Sequence, residues 1–127
     1  MPSKPALILS LAAAACSFDT AASELVPIEW APDGRFAREL TVPATKFIEL
    51  CGQLPAKAKV AWSFEAGVPL NFNVHFHEGS QVHYPARQDG VAKASGDLDV
   101  QIDQDYCWMW TNKSPRDAML KLELTRR

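Results

Sequence analysis

The sequence has no large excess of charge of either sign and no long apolar run. Its 13 lysine and arginine residues nearly balance 15 aspartate and glutamate residues, which leaves a formal net charge of −2. A basic surface for nucleic acid is therefore not indicated. No apolar run reaches the length of about 20 residues that a transmembrane helix requires. We expect neither a nucleic-acid partner nor a membrane-spanning helix.

The sequence also lacks the motifs of common catalytic sites. There is no glycine-rich phosphate loop and no Gly-x-Ser-x-Gly elbow. Acidic residues cluster at Asp97, Asp99, Asp103 and Asp105, but a spacing of two is typical of the polar face of a strand and not of a calcium loop. Because no nucleophile–base pair is visible, we expect a protein that is not an enzyme.

The first 23 residues have the layout of a secretory signal peptide. Lys4 is the positive residue, residues 6–15 are apolar except for Ser10, and residues 21–23 are small. This order of a charged, an apolar and a small-residue region is typical of export signals. We predict a signal segment at 1–23 and one domain at 24–127, which places the protein in the periplasm or outside the cell.

Cys16 leaves the processing of this segment open. Residues 11–16, Leu-Ala-Ala-Ala-Ala-Cys, resemble a bacterial lipobox, although Ala13 stands where that pattern prefers leucine. In one alternative the segment is cleaved after Ser23. In the other, Cys16 is lipidated and anchors an outer-membrane lipoprotein, which would be the only contact with the membrane.

Either route leaves Cys51 and Cys107 in the mature chain. Two cysteines in a small exported domain most often pair, so we predict a disulfide between them. The bridge closes a loop of about 55 residues, which is worth on the order of 3–4 kcal/mol of stability in the chain-entropy model.

The domain itself has the period of β-strands. Apolar residues alternate with polar residues at 58–65, 70–77, 98–103 and 120–124, while 38–42 and 46–51 are less regular strands. Turns are predicted at 78–80, 94–96 and 112–117, and 24–34 is a leading arm in which Trp30 packs on the domain. Short strands at this spacing predict an all-β fold, an antiparallel β-sandwich.

The C-terminal half resembles the end of a GOLD domain. Residues 105–114, Asp-Tyr-Cys-Trp-Met-Trp-Thr-Asn-Lys-Ser, precede the alternating strand at 119–124. GOLD domains, the β-sandwiches of secretory-pathway cargo receptors and some lipid-transfer proteins, end in such a hairpin. Cys107 and Cys51 stand close to the two cysteines of the cargo-receptor branch. The resemblance covers about residues 45–125 and implies a jelly-roll-type sandwich with a non-catalytic binding role, without implying a ligand.

Histidines form one candidate site. His75 and His77 share a strand face, and His83 could return beside them if 78–81 closes a hairpin, with Val82 and Tyr84 then facing inward. Three imidazoles, with Glu78 or water, suit Zn²⁺ or Cu²⁺. The alternatives are ordinary solvated strand residues or a pH-responsive surface, since histidine titrates near neutrality.

Aromatic residues form the second candidate. Tyr106, Trp108 and Trp110 lie on one face of a strand. They either fill the core or present a flat surface to a carbohydrate, lipid or peptide. The sequence thus favours a non-enzymatic binding or adaptor module of the bacterial cell envelope, with a protein, lipid or glycan partner. The alternative is a periplasmic copper- or zinc-binding protein that uses His75, His77 and His83.

Overall fold

The computed structural model describes residues 22–127 and, of the preceding segment, residues 2–5, 10, 12 and 13. Cys16 and most of the predicted signal segment lie outside these residues, so signal cleavage and lipidation stay predictions. None of the described residues forms a helix that could span a bilayer.

Seven strands and no helix make up the described chain, which confirms the all-β prediction. The strands are β1 (Glu24–Pro27), β2 (Arg35–Val42), β3 (Phe47–Leu54), β4 (Lys59–Glu78), β5 (Gln81–Asp99), β6 (Gln104–Thr111) and β7 (Ala118–Arg126). They pair in the order β1-β3-β6-β4-β7-β2, and β5 lies on the other side of β4. All pairs are antiparallel except β1 with β3.

The long hairpin of β4 and β5 belongs to two layers of a sandwich-like fold. The start of β4, residues 60–66, pairs with β7, whereas residues 71–75 pair with β6. We call β1, β3, β6 and the hairpin near its turn the first layer. The second layer contains β2, β7 and the open end of the hairpin. One curled sheet therefore supplies both walls of the core.

Alternation along the strands fills this core. Tyr106, Trp108 and Trp110 point inward and are almost fully buried. The Trp110 ring centroid lies 5.6 Å from that of Phe64 on the second-layer part of β4 and 5.4 Å from that of Phe72 on the first-layer part. These three aromatic residues therefore belong to the core and do not form a binding face. Large buried rings of this kind contribute much of the hydrophobic stabilisation of a fold.

The predicted turn at 94–96 is wrong, since β5 runs through it. Gly96 pairs with Trp62, whose ring lies over the glycine. A Cβ atom at Gly96 would stand 2.6 Å from Cζ2 of Trp62, so this glycine makes room for a ring and does not form a turn. The other two turns are present at Gly79 and in the loop that begins at Asn112.

The predicted strand at 98–103 is also wrong beyond its first two residues. β5 ends at Asp99, and β6 begins at Gln104. The connection between them is fixed by side chains: Tyr106 Oη donates to the Ile102 carbonyl at 3.0 Å, and the Ala56 amide donates to Asp103 at 2.7 Å. These bonds replace the strand pairing that alternation predicted.

The leading arm and the cysteine pair lie as the sequence predicts. The leading arm includes β1, and Trp30 is half-buried against the core as predicted. Cys51 and Cys107 stand directly opposite each other in β3 and β6, with Cα atoms 4.2 Å apart, and form the predicted disulfide.

Candidate functional site

His75 lies on the outer face of the first layer but is buried, with only 5% of its surface exposed. Its cross-strand partner on β6 is the disulfide residue Cys107. The ring Nε2 lies 2.9 Å from a carboxylate oxygen of Glu49, and Nδ1 lies 2.7 Å from the side-chain oxygen of Asn73. Alternation predicted a solvated His75, and that prediction is wrong because strand β3 and the neighbouring side chains cover it.

Burial is the main influence on the protonation of His75. Desolvation lowers the pKa of the imidazole, the nearby His77 lowers this pKa further, and Glu49 opposes both. A neutral ring carries a single N–H, which Nε2 donates to Glu49. Nδ1 then accepts, so a neutral ring is satisfied at both nitrogens only when the Asn73 amide is turned to present its nitrogen to Nδ1, where the structure places its oxygen.

The structure does not bring the three histidines together. The rings of His75 and His77 lie 5.3 Å apart, but His83 stacks on Phe76 at 4.8 Å. The predicted position of His83 beside the other two is therefore wrong. Whether these histidines bind copper or zinc stays a prediction.

The length of the turn explains this separation. Glu78 pairs with Gln81, so His77 faces Val82 and Phe76 faces His83. Cross-strand partners share a face of the sheet. His83 consequently lies with the inward-facing Phe76, near Glu78 with 3.5 Å between Nε2 and a carboxylate oxygen.

Among the described residues, only Glu49, Cys51 and Cys107 hold three metal-ligand atoms within 4.8 Å of one another. Both sulfur atoms belong to the disulfide, so neither is a thiolate ligand. Of the clustered acids, Asp99 is paired with Lys59 at 3.6 Å and Asp103 caps a backbone amide.

The same turn geometry exposes a surface that sequence reasoning missed. Val82 and Tyr84 were predicted to face inward, but 39% of Val82 and 50% of Tyr84 are exposed. The Tyr84 ring lies 6.0 Å from the His75 ring, and the Arg87 guanidinium lies 5.5 Å from the Tyr84 centroid. We call His77, Val82, Tyr84 and Arg87 the hairpin patch. Counting the two-residue turn from Glu78 to Gln81 would have placed Val82 and Tyr84 on this face. Arg87 joins them only because the register shifts between Val74 and Phe76.

The hairpin patch has the chemistry of a protein-binding surface. Tyrosine and arginine are enriched among the residues that contribute most at protein interfaces. Tyrosine buries a large area with few rotatable bonds and keeps a polar end, and the planar guanidinium of arginine stacks on rings and donates several hydrogen bonds. Below the patch, His75 is held between two side chains and beside a disulfide. The side chains beneath the patch are therefore held in place, which reduces the conformational entropy lost on binding.

The fold is similar to that of solved bacterial proteins, although neither a family model nor a curated protein sequence matches the chain. PliG of Aeromonas hydrophila, a periplasmic lysozyme inhibitor of g-type lysozyme, superposes with a TM-score of 0.67 at 16% identity, covering 84% of this chain and 98% of PliG. A mutant of the Escherichia coli PliG gives 0.56 at 8% identity, covering 84% of this chain and all 100% of that one.

A third similar structure is a domain of a collagenase. The pre-peptidase C-terminal domain of a Bacillus anthracis collagenase gives a TM-score of 0.52 at 11% identity, covering 87% of this chain and 100% of the domain. Identities this low show a shared fold only. The chain thus has the β-sandwich-like fold of the periplasmic inhibitors and of this domain.

Proposed function

We propose that this chain is a non-enzymatic binding module of the bacterial envelope that recognises a protein through the hairpin patch. The observation that carries the proposal is the exposed Tyr84, which stands between Val82 and Arg87 over the buried His75. The signal-like N-terminus supports a periplasmic location, as do the periplasmic PliG neighbours.

The partner we propose is a g-type lysozyme, which the chain would inhibit. Similar structures that span nearly the whole domain are named as periplasmic inhibitors of that enzyme. Inhibition by occlusion requires only a surface that docks on the enzyme, which agrees with the absence of a catalytic motif from the sequence. The resemblance to GOLD domains also favours a non-catalytic binding role, and it stays a prediction.

The test compares two arginines that each lie over an aromatic ring. Arg87 lies over Tyr84 in the hairpin patch, and Arg38 lies 4.4 Å from the Phe36 centroid in the second layer. We expect the purified protein to inhibit a g-type lysozyme in a cell-wall lysis assay. Tyr84→Ala should weaken inhibition about 30-fold and Arg87→Ala about tenfold, in the range of interface hot spots. Arg38→Ala should leave inhibition unchanged.

Two results would contradict the proposal. One is an absence of both inhibition and calorimetric binding for the unmodified protein. The other is full inhibition by Tyr84→Ala, which would place the interface elsewhere. Binding to lipid vesicles or glycan fragments, without binding to the enzyme, would instead favour the lipid or glycan partners that the sequence left open.

Copper or zinc binding is a separate proposal, supported by the 5.3 Å between the His75 and His77 rings. Since both nitrogens of His75 already contact side chains, a metal would have to displace Glu49 or Asn73. Calorimetric titration with Cu²⁺ and Zn²⁺ tests it. Binding should be lost in His77→Ala, and an absence of heat at micromolar protein would contradict it.

A further inference from the structure

The outer edge of β5 is unpaired in the second layer. Among the described strands, β5 pairs only with β4. From Lys93 to Asp99 this pairing runs through seven consecutive partners without irregularity. A regular free edge presents backbone N–H and C=O groups on alternate residues, which another strand can pair with.

The rest of β5 is a poorer edge. Its pairing with β4 is interrupted at three places: β4 carries extra residues between Glu65 and Leu70, and β5 carries one extra residue opposite 70–72 and another opposite 74–76. Pro85 has no N–H to donate. Any added strand is therefore confined to 93–99.

This edge segment is complementary to itself. Lys93, Ser95 and Asp97 alternate on the outer face of the second layer and are exposed. An antiparallel copy centred on Ser95 places Lys93 of each copy opposite Asp97 of the other. Opposite charges in directly facing positions stabilise a strand pair, and like charges destabilise it.

Both charges are accessible to a second molecule. Lys93 contacts Glu65 at 3.2 Å, but 78% of its side chain is exposed. Within the described chain, Asp97 makes no ion pair.

We propose that a second copy of this chain pairs with this edge, antiparallel and centred on Ser95, to form a symmetric dimer. The second layers of the two copies then join into one sheet with four strands from each copy. The hairpin patch lies in the first layer and stays free, so the dimer presents two copies of it. This inference concerns a different surface from the proposed function and can fail independently of it.

Charge exchange provides the test, with sedimentation velocity over a range from micromolar to millimolar protein. The unmodified chain should show a concentration-dependent dimer. Lys93→Asp and Asp97→Lys each create two like-charge contacts, so each variant alone should raise the dimer dissociation constant at least about tenfold. An equimolar mixture of the two variants should dimerise again, because each copy then meets the opposite charge in both positions.

Matched controls change the same charges elsewhere. Lys113→Asp and Glu29→Lys, on exposed positions outside β5, should dimerise as the unmodified chain does. Near-ultraviolet circular dichroism checks that each variant is folded. The double variant Lys93→Gln/Asp97→Asn, which removes attraction without adding repulsion, should give an intermediate dissociation constant.

Three results would overturn the dimer. The unmodified chain could stay monomeric at millimolar concentration. The mixture of charge variants could stay as dissociated as its components. The controls could dissociate to the same extent as the edge variants.

Discussion

For the substitution Gly96→Ala, the sequence and the structure predict opposite changes in the free energy of unfolding. Glycine in a strand interior costs about 0.5–1 kcal/mol of stability relative to alanine, because it loses more backbone entropy on folding. By that argument alone, Gly96→Ala stabilises the protein. The structure instead predicts that this substitution destabilises the protein.

The reason is the Trp62 ring. A Cβ at Gly96 would lie 2.6 Å from Cζ2 and 2.9 Å from Cε2 of that ring. Trp62 is itself packed, with its ring centroid 4.7 Å from that of Phe72, so it cannot move without disturbing the core. Overpacking of this kind costs about 1–3 kcal/mol. After the entropic gain is subtracted, we expect Gly96→Ala to lower the free energy of unfolding by about 1 kcal/mol.

Gly67 is the matched control in β4. Its nearest neighbour to an added Cβ is the Met119 amide nitrogen at 3.9 Å, which is ordinary contact. Gly67→Ala should therefore raise the free energy of unfolding by about 0.5–1 kcal/mol. Urea unfolding under non-reducing conditions, followed by tryptophan fluorescence, measures both variants.

A double-mutant cycle isolates the contact. In a Trp62→Leu background the obstructing ring is absent, so Gly96→Ala should become neutral or stabilising. If Gly96→Ala is as stable as the unmodified protein in the original background, the ring does not press on this position and the reasoning is refuted. The same conclusion follows if the cost persists without Trp62.

Two further predictions concern the first layer. Because burial lowers the pKa of His75 below its usual 6.5, the unfolded chain binds more protons there, and the stability that His75 contributes above pH 6.5 is lost as the pH falls. His75→Gln should flatten this acid-side decline in urea unfolding, whereas a steeper decline would mean that Glu49 outweighs burial. Reduction of the Cys51–Cys107 bridge, which spans a sequence separation of 56, should lower the free energy of unfolding by about 3–4 kcal/mol. An equal midpoint with and without reductant would contradict this second prediction.

The alternation of apolar and polar residues predicted burial correctly where burial depends on the face of a single strand. The alternation of Val60, Trp62 and Phe64 placed all three in the core, and the same is true of Leu120, Leu122 and Leu124. Period two specifies a face, and burial of one face is enough to define a strand. The cysteine pair was predictable on another ground, since few alternatives exist for two cysteines in a small exported domain.

The same alternation failed where contacts with a partner strand determine the conformation or the burial of a residue. The sequence around Gly96 has the composition of a turn, yet β5 continues because Trp62 covers the glycine. His75 alternates like a solvated residue, yet Glu49 from β3 pairs with it. Neither partner is a neighbour in sequence.

The sequence by itself determined the alternating segments at 58–65, 70–77 and 120–124, the inward aromatic residues as one of two choices, and the cysteine pair, because these depend on local alternation and on composition. Only the tertiary structure decided which side chains of the β4–β5 hairpin are buried and which are exposed. The register of the β4–β5 hairpin separated His83 from His75 and exposed Tyr84. A shift of one residue moves every side chain of a strand to the opposite face, so the site depends on pairing that alternation alone does not specify.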